Sequence, residues 1–299
     1  MKALFHLIEF ALARVLLFFF DHLPYSLNCL ISKGAANLWW WADFRRRRVA
    51  QENILRSGVE TDPKRARAIA KRSIQVFSML VFESLRSDQF LEGEKWRDHV
   101  KLDIKPDVLE VLEDPNQGLL MAAGHFGNWE IAGHLLSRYK PIAGIARKMN
   151  NPRIEKLVQS RKARARFRPI PKYDSNPGRL MEVLNEKQIL ALLFDQHAGS
   201  YGMQIDFFGH PAATYKTIPM LHLVTRTPVC YIECIRTGPM QFEVTTSNLI
   251  QKTQSGNKEE EVRSILEQLN QHLEMTIRKD PTQYLWAHRR WRDYSRNPR

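Results

Sequence analysis

A short apolar run that breaks at a histidine between glycines is the feature that most constrains this fold. Residues 118–123 (GLLMAA) are apolar and long enough for one buried strand. Residues 124–128 (GHFGN) interrupt the run, and the pattern from Trp129 onward is typical of a helix. Open α/β sheets place their active sites where strands end and helices begin. We therefore predict an α/β domain with His125 at such an edge.

The spacing between His125 and Glu130 suggests a general base and the group that orients it. Residues five apart on one helix differ in direction by about 140° and do not share a face. With His125 in the loop and Glu130 in the first helical turn, the imidazole can fold back onto the carboxylate. A carboxylate on one ring nitrogen fixes the tautomer and leaves the other nitrogen free as a base. This pair lacks the serine of a hydrolase triad, so the nucleophile would be a substrate hydroxyl.

Further apolar runs predict strands, and the stretches between them predict helices. The predicted strands are residues 141–146, 167–171, 189–194, 228–235 and 241–247. The predicted helices are residues 63–86, 153–165, 176–187 and 258–279, with Thr61 as the candidate cap of the first. Together these elements predict a mixed central β-sheet flanked by helices on both faces.

The N-terminal segment is predicted to associate with a membrane. Residues 3–20 (ALFHLIEFALARVLLFFF) approach the roughly 20 apolar residues that span a bilayer, but Glu9 and Arg14 interrupt them. A short anchor, an interfacial amphipathic helix and a helix packed on the domain all remain possible. Tryptophans 39–41 followed by arginines 45–48 favour the membrane interpretations, because these residue types concentrate at lipid headgroups. We therefore assign residues 1–48 to a membrane-associating segment and residues 49–299 to a catalytic domain.

Charge and composition restrict the partners and cofactors. The formal net charge of +13 attracts nucleic acid, anionic membrane or an acidic protein. Cys29, Cys230 and Cys234 provide neither a disulfide framework nor metal-site spacing. Asp195 and His197 would be two metal ligands without a third, and no glycine-rich phosphate-binding motif occurs. We therefore expect no metal and no cofactor.

Several motifs together resemble one enzyme family. Residues 124–130 (GHFGNWE) resemble the H-x4-D/E motif of glycerolipid-type acyltransferases, most closely the lipid A biosynthesis lauroyl/myristoyl acyltransferases. Residues 205–214 (IDFFGHPAAT) and 283–290 (QYLWAHRR) resemble two later motifs of that family, and residues 195–199 (DQHAG) resemble the loop after its central strand. The four motifs occur in the family's order.

The resemblance implies an O-acyltransferase at the bacterial inner membrane, with its catalytic domain on the cytoplasmic side. The donor would be acyl-acyl carrier protein or acyl-coenzyme A, and the acceptor a lipid A precursor or related glycolipid. His125 and Glu130 would be the catalytic pair. Arg289 and Arg290 would either contact lipid phosphates or form a basic surface turn. The expected substrate-binding residues are Arg147, Asn150, Arg161, Arg164, Asp195, Gly199, Phe207, Phe208, Gly209 and Thr214.

A basic protein that binds nucleic acid or a membrane surface is the alternative from a different class. Its support is the net charge and the basic, aromatic segments at residues 39–48 and 284–292. Since no nucleic-acid-binding motif occurs, we expect no nucleic-acid partner.

Overall fold

A computed structural model describes residues 2–164, 166–172, 176–251 and 256–292. Four helices precede the first strand: α1 (Lys2–His22), α2 (Tyr25–Ala42), α3 (Phe44–Ser57) and α4 (Pro63–Leu85). The next elements are α5 (Ser87–Leu91), β1 (Val100–Asp103), α6 (Pro106–Glu113), β2 (Leu119–Ala123), α7 (Trp129–Leu136), β3 (Ile142–Ala146), α8 (Pro152–Arg164), β4 (Phe167–Pro171), α9 (Pro177–Asn185) and β5 (Ile189–Leu193). The last are β6 (Met203–Phe207), β7 (His210–Thr214), α10 (Thr217–Thr225), β8 (Val229–Gly238), β9 (Gln241–Leu249) and α11 (Lys258–Lys279).

Seven of the strands form one mixed sheet, which confirms the predicted fold class. Their order across the sheet is β1-β9-β8-β2-β5-β3-β4, and β6 pairs with β7 in a separate hairpin. Strands β8, β2, β5, β3 and β4 run parallel to one another, whereas β9 is antiparallel to β8. The carboxyl ends of β2, β5, β3 and β4 therefore meet at one edge of the sheet.

Helices cover both faces of the sheet and bury a separate core on each. Side chains along a strand alternate between faces. Leu120 and Ala122 of β2 belong to the core that contains residues of α9, α10 and α11. Met121 and Ala123 belong to the other core, which contains residues of α6 and α7. Because both faces are covered, the central strands are apolar along their whole length.

Helix α1 packs on the rest of the chain through a polar contact. Asn151, just before α8, is buried; its Nδ2 donates to Oε2 of Glu9 at 2.9 Å and to the backbone oxygen of His6 at 2.8 Å. Glu9, which interrupts the apolar run, is thus a docking residue. Among the described residues, no helix is both long and apolar enough to cross a membrane. The large apolar side chains of α1 that remain exposed are Leu4, Phe5, Leu7, Ile8, Leu12, Val15, Leu16, Phe18 and Phe19.

The tryptophan cluster divides between the core and the surface. Trp40 is buried in the core, and the guanidinium carbons of Arg47 and Arg67 lie 5.4 and 5.6 Å from its ring centroid. The expectation that all three tryptophans lie at lipid headgroups is therefore wrong for Trp40. Trp41 is 71% exposed and Phe44 is also exposed. Helix α3 continues through the domain boundary that the sequence placed after residue 48.

A buried ion pair joins α2, α4 and β8. Glu83 of α4 is 1% exposed and accepts hydrogen bonds from Nε of Arg236 at 3.0 Å and from the hydroxyl of Tyr25 at 2.5 Å. Burial raises the pKa of Glu83, although Arg236 acts in the opposite direction. The pair ties the N-terminal helices to the sheet, because breaking a buried pair leaves an uncompensated charge.

Two local features differ from the sequence expectations. The cap of α4 is Asp62 instead of Thr61, since Oδ1 of Asp62 accepts the backbone N–H of Arg65 at 2.8 Å. Residues 87–117, which show no clear pattern in the sequence, contain α5, β1 and α6. These elements are short, so their periodicity is weak.

Candidate active site

Strand register brings His125 and Asp195 together. Strands β2 and β5 are neighbours, and Ala123 lies opposite Leu193. His125 and Asp195 each follow two residues later, at the carboxyl ends of these strands. Nδ1 of His125 lies 2.7 Å from Oδ1 of Asp195, and the backbone N–H of His125 donates to Oδ2 at 3.0 Å. Both carboxylate oxygens of Asp195 therefore form hydrogen bonds with His125.

The protonation of Asp195 decides which nitrogen of His125 is free. Burial alone would raise the pKa of Asp195, but His125, and to a smaller extent Arg290, lower it to about 2. An ionised carboxylate only accepts hydrogen bonds, so Nδ1 of His125 carries the proton and Nε2 carries the lone pair. Nε2 of Gln196 lies 3.2 Å from Nε2 of His125. The basic nitrogen is thus next to an amide donor.

Glu130 occupies a different place from the one that its spacing predicted. The carboxylate on Nδ1 of His125 is that of Asp195. Glu130 lies exposed in the first turn of α7 and lines the same cavity as His125. On α7, Glu130 shares a face with His134, and Trp129 shares the adjoining face with Gly133. Glu130 and His134 therefore form a polar wall of the cavity, next to the face that carries Trp129 and Gly133.

The loop that carries His125 is held from two sides. The backbone N–H of Asn128 donates to the oxygen of Cys234 at 2.9 Å, and that of Leu285 donates to the oxygen of His125 at 3.0 Å. Gly127 has a φ of +52°, and a Cβ there would lie 1.8 Å from the oxygen of Cys234. Only glycine fits this approach between the loop and β8.

The C-terminal motif supports the site from within the core. Arg290 is 2% exposed and donates to the oxygen of Ala213 and to Oγ1 of Thr214, both at 2.7 Å. The expectation of a lipid contact or a surface turn is therefore wrong for Arg290, although Arg289 is exposed. Tyr284 is buried, and burial together with the charge of Asp195 raises its pKa.

A cavity of about 620 Å³ opens beside His125 at the carboxyl edge of the sheet. Its polar lining includes Ser84, Ser87, Asp88, Glu130, His134 and Gln196, and much of the remainder is apolar. Arg147 and Lys172 also line it. Ala146 pairs with Pro171 between β3 and β4, so Arg147 and Lys172 follow at the ends of neighbouring strands. This exposed pair makes one side of the cavity basic.

The other predicted substrate-binding residues whose side chains are described lie outside the cavity lining. Asn150 is exposed in the turn before α8, and Gly199 begins a short 3-10 helix with a φ of +65°. The side chains of Arg161 and Arg164 in α8 lie outside the described residues. Phe207, Phe208, Gly209 and Thr214 belong to the β6–β7 hairpin; the described cavity lining does not include them.

The hairpin instead packs behind the site. The ring of Phe207 lies 5.5 Å from that of Trp291, and the ring of Phe208 lies 6.4 Å from that of Trp286. Phe208 and Gly209 both have positive φ at the turn, and the backbone N–H of Phe208 donates to Glu274 at 2.6 Å. Thr214 is the acceptor for buried Arg290. The motif thus connects the core to the C-terminal segment.

Several polar residues of the cavity were not predicted from the sequence, among them Gln196 and Lys172, and Asp195 was predicted in a different role. Gln196 and Lys172 line the cavity, and Asp195 was considered only for substrate or metal binding. Asp195 and Gln196 follow the strand predicted to end at residue 194, and Lys172 follows the one predicted to end at residue 171. Since parallel strands end at a common edge, applying the strand-end rule to every strand would have found them.

Comparison with known proteins identifies the family. The family described as "Bacterial lipid A biosynthesis acyltransferase" matches residues 2–293. A phosphatidylinositol mannoside acyltransferase of Mycolicibacterium smegmatis is 26% identical over 157 residues. That alignment covers 48% of this chain and 52% of the relative, so the match spans about half of each protein. The family match extends over nearly the whole chain, and the chain therefore belongs to the bacterial lipid A biosynthesis acyltransferase family.

Proposed function

We propose that this protein transfers a fatty acyl group from an acyl thioester to a hydroxyl of a lipid A precursor or related glycolipid. The observation that carries the proposal is the hydrogen bond between Nδ1 of His125 and buried Asp195, beside a large and mostly apolar cavity. Family membership supports the reaction class. The relative, whose name specifies a phosphatidylinositol mannoside, supports a glycolipid acceptor.

In the proposed reaction, His125 acts as the general base and Asp195 orients it. Nε2 of His125 takes the proton of the acceptor hydroxyl as the oxygen attacks the thioester carbonyl. The negative charge of Asp195 stabilises the imidazolium that forms. Collapse of the tetrahedral intermediate breaks the carbon–sulfur bond, and the thiolate takes the proton from Nε2. A new ester and a free thiol result, without a covalent enzyme intermediate.

Gln196 has a proposed role in both binding and catalysis. Its amide lies 3.2 Å from Nε2 of His125, where the acceptor hydroxyl must bind. The hydroxyl would therefore displace this amide. Once displaced, the amide N–H can donate to the carbonyl oxygen as negative charge develops there, which stabilises the transition state.

The basic side of the cavity suits an acidic donor. Arg147 and Lys172 lie together at the ends of β3 and β4, and both are exposed. We assign them to the phosphate of a pantetheine arm, which acyl carrier protein and coenzyme A share. The net charge of +13 favours acyl carrier protein, because that partner is an acidic protein.

The polar wall of the cavity suits a sugar acceptor. Glu130, His134 and Ser87 lie on this wall, and Nδ1 of His134 is 3.0 Å from Oγ of Ser87. Burial lowers the pKa of His134, so its ring is neutral near pH 7. A carboxylate and neutral hydrogen-bonding groups bind sugar hydroxyls and disfavour a phosphate at the same place. This assignment gives Glu130 a role in acceptor binding.

The N-terminal helix provides the proposed membrane contact. The exposed side chains of α1 include many large apolar ones, and arginines 45–48 lie in the first turns of α3. A large apolar face on one helix and a run of basic residues on another both suit the interface of an anionic membrane. We propose that α1 lies in this interface, at the cytoplasmic side of a bacterial inner membrane.

The direct test is an assay with radiolabelled acyl-acyl carrier protein and an underacylated lipid A precursor, with product masses measured in parallel. The expected product has gained one acyl ester. The same assay with acyl-coenzyme A and with phosphatidylinositol mannoside identifies the donor and acceptor. Hydrolysis of the donor without transfer to any of these acceptors would contradict the proposal.

A further inference from the structure

The C-terminal end of α1 lies beside the turn between α4 and α5, on one side of the cavity. The backbone oxygen of Leu23, just past the end of α1, accepts a hydrogen bond from Nη1 of Arg86 in this turn at 3.2 Å. Ser84, two residues earlier, lines the cavity and donates to Asn128, the N-terminal cap of α7, at 2.9 Å. Since α7 begins where β2 ends, this side belongs to the carboxyl edge of the sheet.

The N-terminal half of α1 lies on the opposite side of the cavity. Helix α8 follows β3, which β5 separates from β2, and Val158 of α8 lines the cavity. Asn151, the last residue before α8, donates to the backbone oxygen of His6 and to the carboxylate of Glu9. The part of α1 between the two attachments is about 20 Å long. Helix α1 therefore crosses from one side of the cavity to the other at the edge where His125 lies.

The two ends of α1 are attached in different ways. At the C-terminal end, buried Asn28 donates from Nδ2 to the backbone oxygen of Phe20 at 2.9 Å, and the ring of Phe20 lies 4.4 Å from that of Phe82. The N-terminal half is attached through the side chain of Asn151, and none of the α1 side chains that the structure describes is fully buried. The N-terminal half can therefore separate while the C-terminal end stays in place, with residues 23–24 as the hinge.

The attached position of α1 lies in the path of a membrane-bound acceptor. In the proposed function, the outward face of α1 lies in the membrane interface, and the acceptor is held in the same membrane by its own hydrocarbon. The acceptor hydroxyl has to reach Nε2 of His125, so the lipid approaches from the side on which α1 crosses the cavity. A helix attached at both ends divides this opening, whereas a helix attached at one end leaves it clear.

We infer that α1 is a gate for the acceptor: its N-terminal half, held by Asn151, detaches at the membrane and opens the cavity to the lipid. This inference rests on the proposed function and adds the route by which the acceptor enters. The membrane favours the detached state because it can then also bury Phe10, Ala13 and Leu17, a helical stripe that is half-buried in the attached state. Opening is not required for a donor that arrives from water at the basic side of the cavity.

The test locks the gate with a cleavable cross-link. Glu9→Cys and Asn151→Cys, in a Cys29→Ser background, place two thiols at side chains whose polar atoms lie 2.9 Å apart. Ethanediyl bismethanethiosulfonate joins the two thiols through disulfides, and dithiothreitol releases them. The remaining cysteines, Cys230 and Cys234, are buried. Acyl transfer from acyl-acyl carrier protein is then measured to an underacylated lipid A precursor in vesicles and to a water-soluble analogue that keeps the acceptor hydroxyl but carries short acyl groups.

Locking should lower kcat/KM for the vesicle acceptor by about tenfold or more, because the open state is no longer populated, and the reductant should restore it. Transfer to the short analogue, KM for the donor and vesicle binding by flotation should remain as in the reduced protein. The Glu9→Cys single variant, treated with the same reagent, is the control for the modification and should transfer to the vesicle acceptor at its untreated rate.

Equal transfer to the vesicle acceptor by the locked and reduced proteins would overturn the inference, because the lipid would then enter past an attached α1. An equal loss with both acceptors, or a loss of vesicle binding on locking, would also overturn it, since the cross-link would then act on the site or on membrane binding. Absence of transfer by the wild type to either acceptor would instead overturn the proposed function.

Discussion

Replacing Asp195 with asparagine tests the assignment of the catalytic pair. Asparagine preserves the shape of the side chain but removes its charge. Its amide can donate a hydrogen bond to Nδ1 of His125, which would leave the ring proton on Nε2. The base would then be absent, although every side chain remains in place. We expect kcat to fall, with little change in KM.

The size of the loss follows from the contacts of Asp195. The site lowers the pKa of this carboxylate from 3.8 to about 2, which corresponds to about 2 kcal/mol in favour of the charged form. The same attraction acts on the imidazolium that forms in the transition state, and a loss of that size would cost about 30-fold in rate. The wrong tautomer has a larger effect, because it abolishes general-base catalysis altogether, which is worth about 10²–10⁴-fold; we expect a loss of about 10³-fold in total.

Glu130→Gln is the matched control, because it makes the same chemical change at the other candidate carboxylate. In the proposed site Glu130 contacts the acceptor, so this variant should raise the acceptor KM and lower kcat by less than about tenfold. Steady-state acyl transfer measures both variants, and circular dichroism verifies that each folds. A large loss of kcat in Glu130→Gln with a small one in Asp195→Asn would refute the assignment and restore the pair that the sequence predicted.

Three further predictions concern stability and the N-terminal helix. Glu83→Ala should lower the free energy of unfolding by about 3–5 kcal/mol, because it leaves the charge of Arg236 buried without its partner carboxylate. The control, Glu52→Ala, breaks an exposed ion pair with Arg48 and should cost under about 1 kcal/mol. Urea denaturation measures both. Burial lowers the pKa of His288 from 6.5 to about 4, although the charge of Asp195 acts in the opposite direction; the stabilising effect of the neutral ring is therefore complete above pH 6.5 and is lost as the pH falls toward 4. After allowance for partial exposure this amounts to about 1–2 kcal/mol, and urea midpoints of His288→Gln should depend less on pH over that window. Asn151→Ala removes the two hydrogen bonds that Asn151 donates to α1 and should speed trypsin cleavage after Arg14 about tenfold. Asn150→Ala, at an exposed neighbour, should not.

Long apolar strands and helices with clear caps were predictable from the sequence. The strand before His125, the buried run at residues 189–194 and helix 258–279 all occur within one or two residues of their predicted bounds. Each has a strong local signal: continuous apolar residues for a buried parallel strand, or a helical pattern with acidic residues at its start. Residues 87–117 lack such signals because β1 is a short edge strand.

The partner of His125 was harder to predict, because it depends on which strands are neighbours. Glu130 is near His125 in sequence, whereas Asp195 is near it only because β5 is inserted between β2 and β3. Strand order follows from how helices cover both faces, and local patterns carry little information about it. The same applies to Arg290, whose charge suggested a surface position but which is buried against β7.

The most direct test of the central claim is the rate of acyl transfer by His125→Ala compared with the wild type, using radiolabelled acyl-acyl carrier protein and an underacylated lipid A precursor. If Nε2 of His125 is the general base, the variant should fold normally and lose about 10²–10⁴-fold in kcat. Transfer by a folded His125→Ala variant at the wild-type rate would contradict the proposed mechanism.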